Sequence, residues 1–126
     1  LTAMGNAANV TSLPTIEAAY QSPEPTLRAA ALNALRAITD PRVDVRLATA
    51  LMNDASGLVR AEAARALRER TPTEQAIAAL TQLAAHESDA ATRLAVLKTM
   101  QEWLPRAPSL AHPIAALQAR NSADSR

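Results

Sequence analysis

A short segment of this chain occurs three times at nearly constant spacing, and this repetition constrains the fold more than any other feature. Each copy has arginine at its second position, followed mainly by small and hydrophobic residues. The copies are Leu27–Leu35, Val59–Leu67 and Thr92–Met100, and their arginines lie 32 and then 33 residues apart. A fixed period of this length is typical of proteins built from stacked structural repeats. The sequence therefore predicts a repeat architecture rather than a globule with one central core.

The composition indicates that the repeating element is an α-helix. Ala is the commonest residue, whereas the chain has one Trp, one Tyr and no Phe. Ala has the highest intrinsic helix propensity, and its small side chain lets helix axes approach to the lower end of the range of about 8–10 Å. With few large side chains, stability must come from many small contacts between neighbouring helices. We therefore predict an all-α solenoid of about three helix pairs with partial repeats at both ends.

Hydrophobic periodicity and turn residues divide the chain into repeats. In the second helix, over Thr26–Ile38, the pattern places Leu27, Ala31, Ala34 and Leu35 on the packed side. Similar pairs of helices follow, and we predict repeats at residues 8–40, 41–72 and 73–105, with a partial repeat at 106–126.

Within this division two further positions are assigned from the pattern, and a third, Arg70, departs from it. Gly57 is assigned to the turn before the fourth helix. Arg70 occupies the place that Ile38 and Trp103 hold in the neighbouring repeats, so the packing of the last turn of that helix is uncertain from sequence. Trp103 itself is predicted to be a packing residue.

The start of the sequence suggests a piece of a longer protein, whereas its end has two interpretations. Leu1–Met4 has the spacing of a helix end, and the following Gly5-Asn6 suits a helix C-terminus. We therefore expect these residues to be the tail of a preceding repeat. Residues 121–126 have two interpretations, namely the turn into a further helix or a polar tail.

The arrangement of helix, short acidic or Pro-containing turn and Arg-containing helix resembles the HEAT repeat, in the short form common in bacterial HEAT-like proteins. The resemblance covers nearly the whole chain. It implies a right-handed superhelix in which the second helix of each pair lines the concave side. Thr92 departs from the pattern, because a hydrophobic residue is usual at that position.

A narrower resemblance lies near the start of the chain. The segment Met4–Ala7, followed by Ser12-Leu13-Pro14, resembles a repeat junction in the helical domain of vitellogenin-like lipid-transfer proteins. This resemblance implies an alternative function, in which the helices belong to a lipid-binding module.

The HEAT resemblance also implies a role for the arginine that opens each second helix. In HEAT repeats this residue forms an internal ladder with neighbouring turns, and by position the role falls to Arg28, Arg60 and Arg93. The helix dipole disfavours a cation at a helix N-terminus, so specific hydrogen-bond acceptors must offset it. Turn carboxylates such as Asp54 and Asp89 are within reach.

Exposed positions on the same second helices are the better candidates for binding. Stacking of the repeats should align them in two rows, which contain Asn33, Arg36, Arg65, Arg68, Lys98 and Gln101. The rows hold four basic residues and no carboxylate, which favours an acidic peptide or protein segment as the ligand. The alternative is a solvated surface with local ion pairs, for instance between Glu69 and Arg65.

Other classes of function lack suitable residues. His86 and His112 are isolated, the chain has no Cys and its two Gly lie far apart, so we expect no catalytic site, metal site or cofactor. A net charge of +1 and two aromatic residues argue against a nucleic-acid partner, since such binding needs a basic surface or stacking platforms. No apolar run approaches the roughly 20 residues of a membrane span.

These observations together predict a non-enzymatic scaffold that binds a protein or peptide on its concave face. The helical part of a lipid-binding module is the alternative. The exposed ends of an open solenoid also predict self-association, because uncapped terminal repeats present apolar helix faces.

Overall fold

The computed structural model describes residues 14–124, and all regular secondary structure in this part of the chain is helical. Residues 14–20 belong to the first helix, α1. The others are α2 (Pro25–Leu35), α3 (Pro41–Asn53), α4 (Gly57–Arg68), α5 (Glu74–His86), α6 (Ala90–Trp103) and α7 (Ala111–Asp124), with two short 3-10 turns at Leu104–Arg106 and Pro108–Leu110. The predicted helix end at Leu1–Met4 lies outside the described residues.

The helices form two layers, which confirms the predicted all-α solenoid. The even-numbered helices α2, α4 and α6 pack side by side, and α3, α5 and α7 form the second layer. α1 contacts α3, where the Arg46 guanidinium lies 5.1 Å from the centre of the Tyr20 ring and binds the carboxylate of Glu17. Successive pairs therefore stack in chain order.

Two hydrogen bonds show that α6 runs parallel to α4 in a fixed register. The Thr92 hydroxyl lies 2.8 Å from the backbone oxygen of Gly57, and the Thr99 hydroxyl lies 2.6 Å from that of Ala64. Both pairs are 35 residues apart. Thr92 thus replaces the usual hydrophobic residue and remains fully buried, because its hydroxyl finds an acceptor on the neighbouring helix.

Polar residues in the turns define where several helices start. Asp40, Thr73 and Asp89 precede α3, α5 and α6, and each side chain accepts a hydrogen bond from a backbone N–H in the first turn. Such caps satisfy donors that have no partner within the helix. Pro25 and Pro41 occupy first-turn positions, where the missing N–H costs nothing.

The core is rich in alanine, and α4 lies at its centre. Ala61, Ala63, Ala64 and Ala66 are all buried in the helix that contacts α2, α3 and α6. Trp103 is fully buried, as predicted.

The predicted packing side of α2 is wrong at two positions. Leu27 is 54% exposed and Ala34 is exposed, whereas the equivalent residues Val59 and Ala66 of α4 are fully buried. α4 has an even-numbered neighbour on each side, but no described helix covers this side of α2. Ala29 and Leu32 are buried instead.

Two boundary predictions also need correction. Gly57 is the first residue of α4 rather than a turn residue, and a Cβ there would lie 2.8 Å from the carboxylate carbon of Asp89. Close packing between turns, not backbone conformation, therefore favours glycine, because a Cβ would displace the Asp89 carboxylate that caps α6. At the other end, α7 continues to Asp124, so residues 121–124 form neither a turn nor a non-helical tail.

Candidate functional site

The first turn of α2 contains an arginine, Arg28, that contacts the next repeat. Arg28 donates from Nε and Nη2 to the two carboxylate oxygens of Asp54, at 3.0 Å each, and from Nη1 to the backbone oxygen of Ser22, also at 3.0 Å. The Tyr20 hydroxyl donates to the same carboxylate at 2.7 Å. Because Asp54 directly follows α3, this contact joins the start of α2 to the end of the next helix of the other layer.

The same arrangement appears in the following repeat. Arg60 donates from Nε and Nη2 to the two carboxylate oxygens of Glu87, at 2.8 Å each, and from Nη1 to the backbone oxygen of Asp54 at 2.9 Å. Glu87 directly follows α5, so it occupies the position that Asp54 occupies after α3.

Arg93 makes the third contact of the series. Its Nε donates to the side-chain oxygen of Asn121 at 3.0 Å, and its Nη1 donates to the backbone oxygen of Ser88 at 2.7 Å. We call the three contacts Arg28–Asp54, Arg60–Glu87 and Arg93–Asn121 the ladder. Asp54 was an expected partner, but Glu87 and Asn121 were not. Asp89 does not pair with a ladder arginine, because its carboxylate caps α6.

The ladder carboxylates are stabilised in their ionised form. Burial raises the pKa of Asp54, but hydrogen bonds from Arg28 and Tyr20 outweigh this effect and leave the pKa below its ordinary value. Glu87 follows the same balance: burial raises its pKa, and the hydrogen bonds from Arg60 more than offset the increase. For Tyr20, burial and the hydrogen bond to Asp54 raise the pKa of the hydroxyl.

Arg70 resolves the packing question that the sequence left open. Its Nε donates to Asp44 at 2.6 Å, and its Nη1 donates to the backbone oxygens of Ile38 and Arg36 at 2.6 and 3.0 Å. Its side chain is only 9% exposed. Arg70 therefore links the segment after α4 to the residues that follow α2 and to the start of α3, at the opposite edge of the solenoid from the ladder.

A groove of about 350 Å³ crosses the exposed side of α2, α4 and α6. It contains five of the six residues in the predicted rows, namely Asn33, Arg36, Arg65, Arg68 and Lys98. Gln101 is exposed on α6 but does not line the groove. The groove also contains two carboxylates, Glu62 and Glu69, which the aligned rows do not include.

Half of the basic residues in the groove are neutralised within it. Arg36 binds Glu69 across α2 and α4 at 2.9 Å, and Arg65 binds Glu62 within α4 at 3.3 Å. The Glu69–Arg65 pair considered from the sequence does not form. Among the described residues, no ion pair or side-chain hydrogen bond occupies Arg68 or Lys98.

The remaining wall of the groove is apolar. Leu94, which is 50% exposed, lies beside Ala91 and Ala95 on α6. The row alignment missed Leu94, because it assigned only polar residues to this surface. The sequence signal was a leucine one helical turn before Lys98.

Features of other functional classes are not found in residues 14–124. No group of His, Asp or Glu in this range is arranged to hold a metal ion. His86 and His112 lie on α5 and α7 and are exposed. None of the described helices is both long and apolar enough to cross a membrane.

Stacked helix pairs joined by a ladder of arginines define an α-solenoid repeat protein. The sequence model of a family described as HEAT repeats matches residues 45–124, which is more than half of the chain. The protein therefore belongs to the HEAT-repeat family, as predicted. Proteins with these repeats are commonly protein-interaction scaffolds and are typically not enzymes.

Comparison with characterised proteins and with solved structures gives no significant match. The vitellogenin-like resemblance depends on residues that, apart from Pro14, lie outside the described part of the chain. It stays a prediction.

Proposed function

We propose that this HEAT-repeat chain is a non-enzymatic scaffold that binds a partner protein in the groove across α2, α4 and α6. The observation that carries the proposal is the presence of two basic side chains, Arg68 and Lys98, that line the groove and have no partner among the described residues. Unpaired charges on a recessed surface remain available to a ligand, and complementary charge gives specificity in protein recognition.

The ladder arginines are better explained by stability than by binding. Arg28 and Arg60 each donate from three nitrogens to atoms of the protein, and their side chains are 16% and 18% exposed. A partner would have to displace two-point carboxylate contacts to reach them. We therefore assign Arg28, Arg60 and Arg93 to the scaffold and the groove residues to the partner.

A binding experiment with a variant in which the charge of two groove residues is reversed tests the function. The wild-type protein and the double variant Arg65→Glu, Arg68→Glu are immobilised and exposed to a lysate of the source organism, and bound proteins are identified by mass spectrometry. We expect at least one partner to be lost from the double variant and kept by Arg106→Glu, an exposed control outside the groove. Circular dichroism verifies that both variants fold.

The same preparations separate the scaffold from the lipid-binding alternative. Lipids extracted from the purified protein would be detected by mass spectrometry. A stoichiometric lipid, combined with no protein partner sensitive to groove reversal, would contradict the proposal.

Self-association through the exposed side of α2 is a second part of the proposal. Leu27 is 54% exposed and Ala34 is exposed beside it on the same helix, although the equivalent residues of α4 are core residues. A second copy could cover this side as α2 covers α4. Sedimentation should then show a concentration-dependent dimer that Leu27→Glu disrupts and Val45→Glu, at a similarly exposed site on α3, does not.

A further inference from the structure

The groove has an apolar part and a basic part, which lie at different positions along its length. The register between α4 and α6, set by the 35-residue offset of Thr99 and Ala64, places Leu94 level with residue 59 of α4 and Lys98 level with residue 63. Arg68 lies further towards the C-terminal end of α4. The groove therefore runs from an apolar end at Leu94 to a basic end at Arg68.

The distance between these ends limits what can bind. Nine residues of helix separate the level of Leu94 from that of Arg68, which corresponds to about 14 Å at 1.5 Å per residue. An extended peptide of about four residues spans this length, and so does a helical segment of about nine. A short segment of a partner protein is therefore long enough to reach both ends.

The charge of the groove favours an acidic ligand. Four basic and two acidic side chains line it, for a net charge of +2. The two glutamates are already paired with Arg36 and Arg65, so the uncompensated charge is concentrated at Lys98 and Arg68.

A protein segment suits these features better than a nucleic acid. Single-stranded nucleic acid is usually bound by aromatic side chains on which bases stack, and no aromatic residue lines the groove. Glu62 and Glu69 would also repel a continuous row of phosphates. Leu94, by contrast, offers an apolar contact that an aliphatic side chain can cover.

We propose that the groove binds an acidic segment of a partner protein, with an aliphatic side chain against Leu94 and carboxylates at Lys98 and Arg68. This inference rests on the proposed scaffold function and specifies the chemistry of its ligand. The bound segment therefore carries its aliphatic side chain and its carboxylates in a fixed order.

Labelled peptides test the charge requirement directly. A set of fluorescein-labelled 12-residue peptides carries one Leu and three Glu at varied spacings in an Ala–Gln background, and matched peptides carry Gln in place of Glu. Fluorescence anisotropy should show that at least one acidic peptide binds and that its Gln counterpart does not. Raising the salt concentration from 50 to 500 mM should weaken binding, because exposed charge pairs are screened.

Variants with matched controls locate the contacts. The double substitution Lys98→Gln, Arg68→Gln should weaken binding of the acidic peptide by about tenfold, since each exposed charge pair contributes up to about fivefold in affinity. Arg106→Gln should leave affinity unchanged. Leu94→Gln should also weaken binding, whereas Val45→Gln, at 52% exposure against 50% for Leu94, should not.

The possible outcomes decide between this ligand and others. Equal binding of the neutral peptides, tighter binding of a 12-nucleotide single-stranded DNA or no binding by any acidic peptide at millimolar concentration would each overturn the acidic-segment proposal. The scaffold function has its own test: it stands if a captured partner is lost on groove reversal, even when that partner is insensitive to Lys98→Gln and to salt.

Discussion

The guanidinium of Arg60 and the carboxylate of Glu87 meet in a two-point contact, with Nε–Oε1 and Nη2–Oε2 both 2.8 Å apart. The third nitrogen of Arg60 binds the backbone oxygen of Asp54, which precedes its own helix. A single side chain thus joins the turn before α4 to the turn after α5. Glu87 is 6% exposed, so it depends on this arginine for its charge compensation.

Substitution of Arg60 should therefore destabilise the protein strongly. Arg60→Ala leaves Glu87 buried without its partner, and we expect the free energy of unfolding to fall by about 3 kcal/mol, as for other broken buried pairs. Arg60→Lys keeps the charge but loses the planar fork, and should cost about 1–2 kcal/mol. Urea unfolding followed by circular dichroism measures both.

An exposed arginine provides the control for this comparison. Arg106→Ala should change the free energy of unfolding by less than about 0.5 kcal/mol, as is usual for surface positions. A similarly small effect of Arg60→Ala would mean that the ladder does not stabilise the fold.

Arg70 offers an independent test at the other edge of the solenoid. Arg70→Leu restores the apolar character of the equivalent Ile38, but it removes the donors to three backbone oxygens and the partner of Asp44. We expect a loss of about 2 kcal/mol, because acceptors shielded from solvent are costly to leave unsatisfied. Arg42→Leu, which breaks an exposed pair with Asp40, should change stability by at most about 1 kcal/mol. If Arg70→Leu were stabilising, its polar contacts would be dispensable.

Equivalent alanines on α2 and α4 should respond differently to enlargement. Ala66 is fully buried, whereas Ala34 in the same repeat position is exposed. Ala66→Leu should cost about 1–3 kcal/mol through overpacking, and Ala34→Leu should change stability by less than about 0.5 kcal/mol. Thermal unfolding of both variants at low protein concentration measures the difference. Equal effects would contradict the packing of α4 between its neighbours.

Stability should fall in acid with a predictable onset. The pKa values of Asp54, Glu87 and Asp89 all lie below their ordinary values of 3.8 or 4.5 in the folded protein. As pH falls, the unfolded chain therefore takes up protons first, and folding is disfavoured. The contribution of these groups is complete above about pH 5 and is lost as pH decreases through and below the ordinary pKa values.

Unfolding experiments at several pH values measure this loss. The free energy of unfolding should be nearly constant between pH 7 and 5 and should decrease steadily from pH 4.5 to 3. Glu87→Gln should be less stable at pH 7 and should show a shallower decrease in acid. A wild-type protein that kept its full stability at pH 3 would contradict this account.

The repeated pattern was sufficient to predict the layered helices, because small and hydrophobic residues recur with the period of the structure. The ladder role of the three arginines was implied by the HEAT resemblance, which assigned it to them by their position in the repeat. Their partners were harder to predict, since Glu87 and Asn121 belong to the repeat after the arginine they bind. Only stacking brings such residues together, and no local pattern marks them.

Other differences have equally specific causes. From the sequence, Arg70 was a charged residue at a packing position. Its acceptors are backbone oxygens of the preceding repeat, which come within its reach only when the repeats are stacked. Leu27 looked like a core residue, because the sequence pattern is the same whether or not a neighbouring helix covers it. The groove was only partly predicted: alignment found its cations but missed Glu62, which bonds to Asn33 on the adjacent helix at 3.0 Å.

The ladder and the groove have no residue in common. Changes at Asn33, Arg36, Arg65, Arg68 or Lys98 therefore leave every contact between ladder residues in place. Such a chain can acquire a new ligand by surface substitution alone, without a compensating change in its architecture. The same separation makes it a suitable starting point for engineered binders, with the groove randomised and the arginine contacts retained.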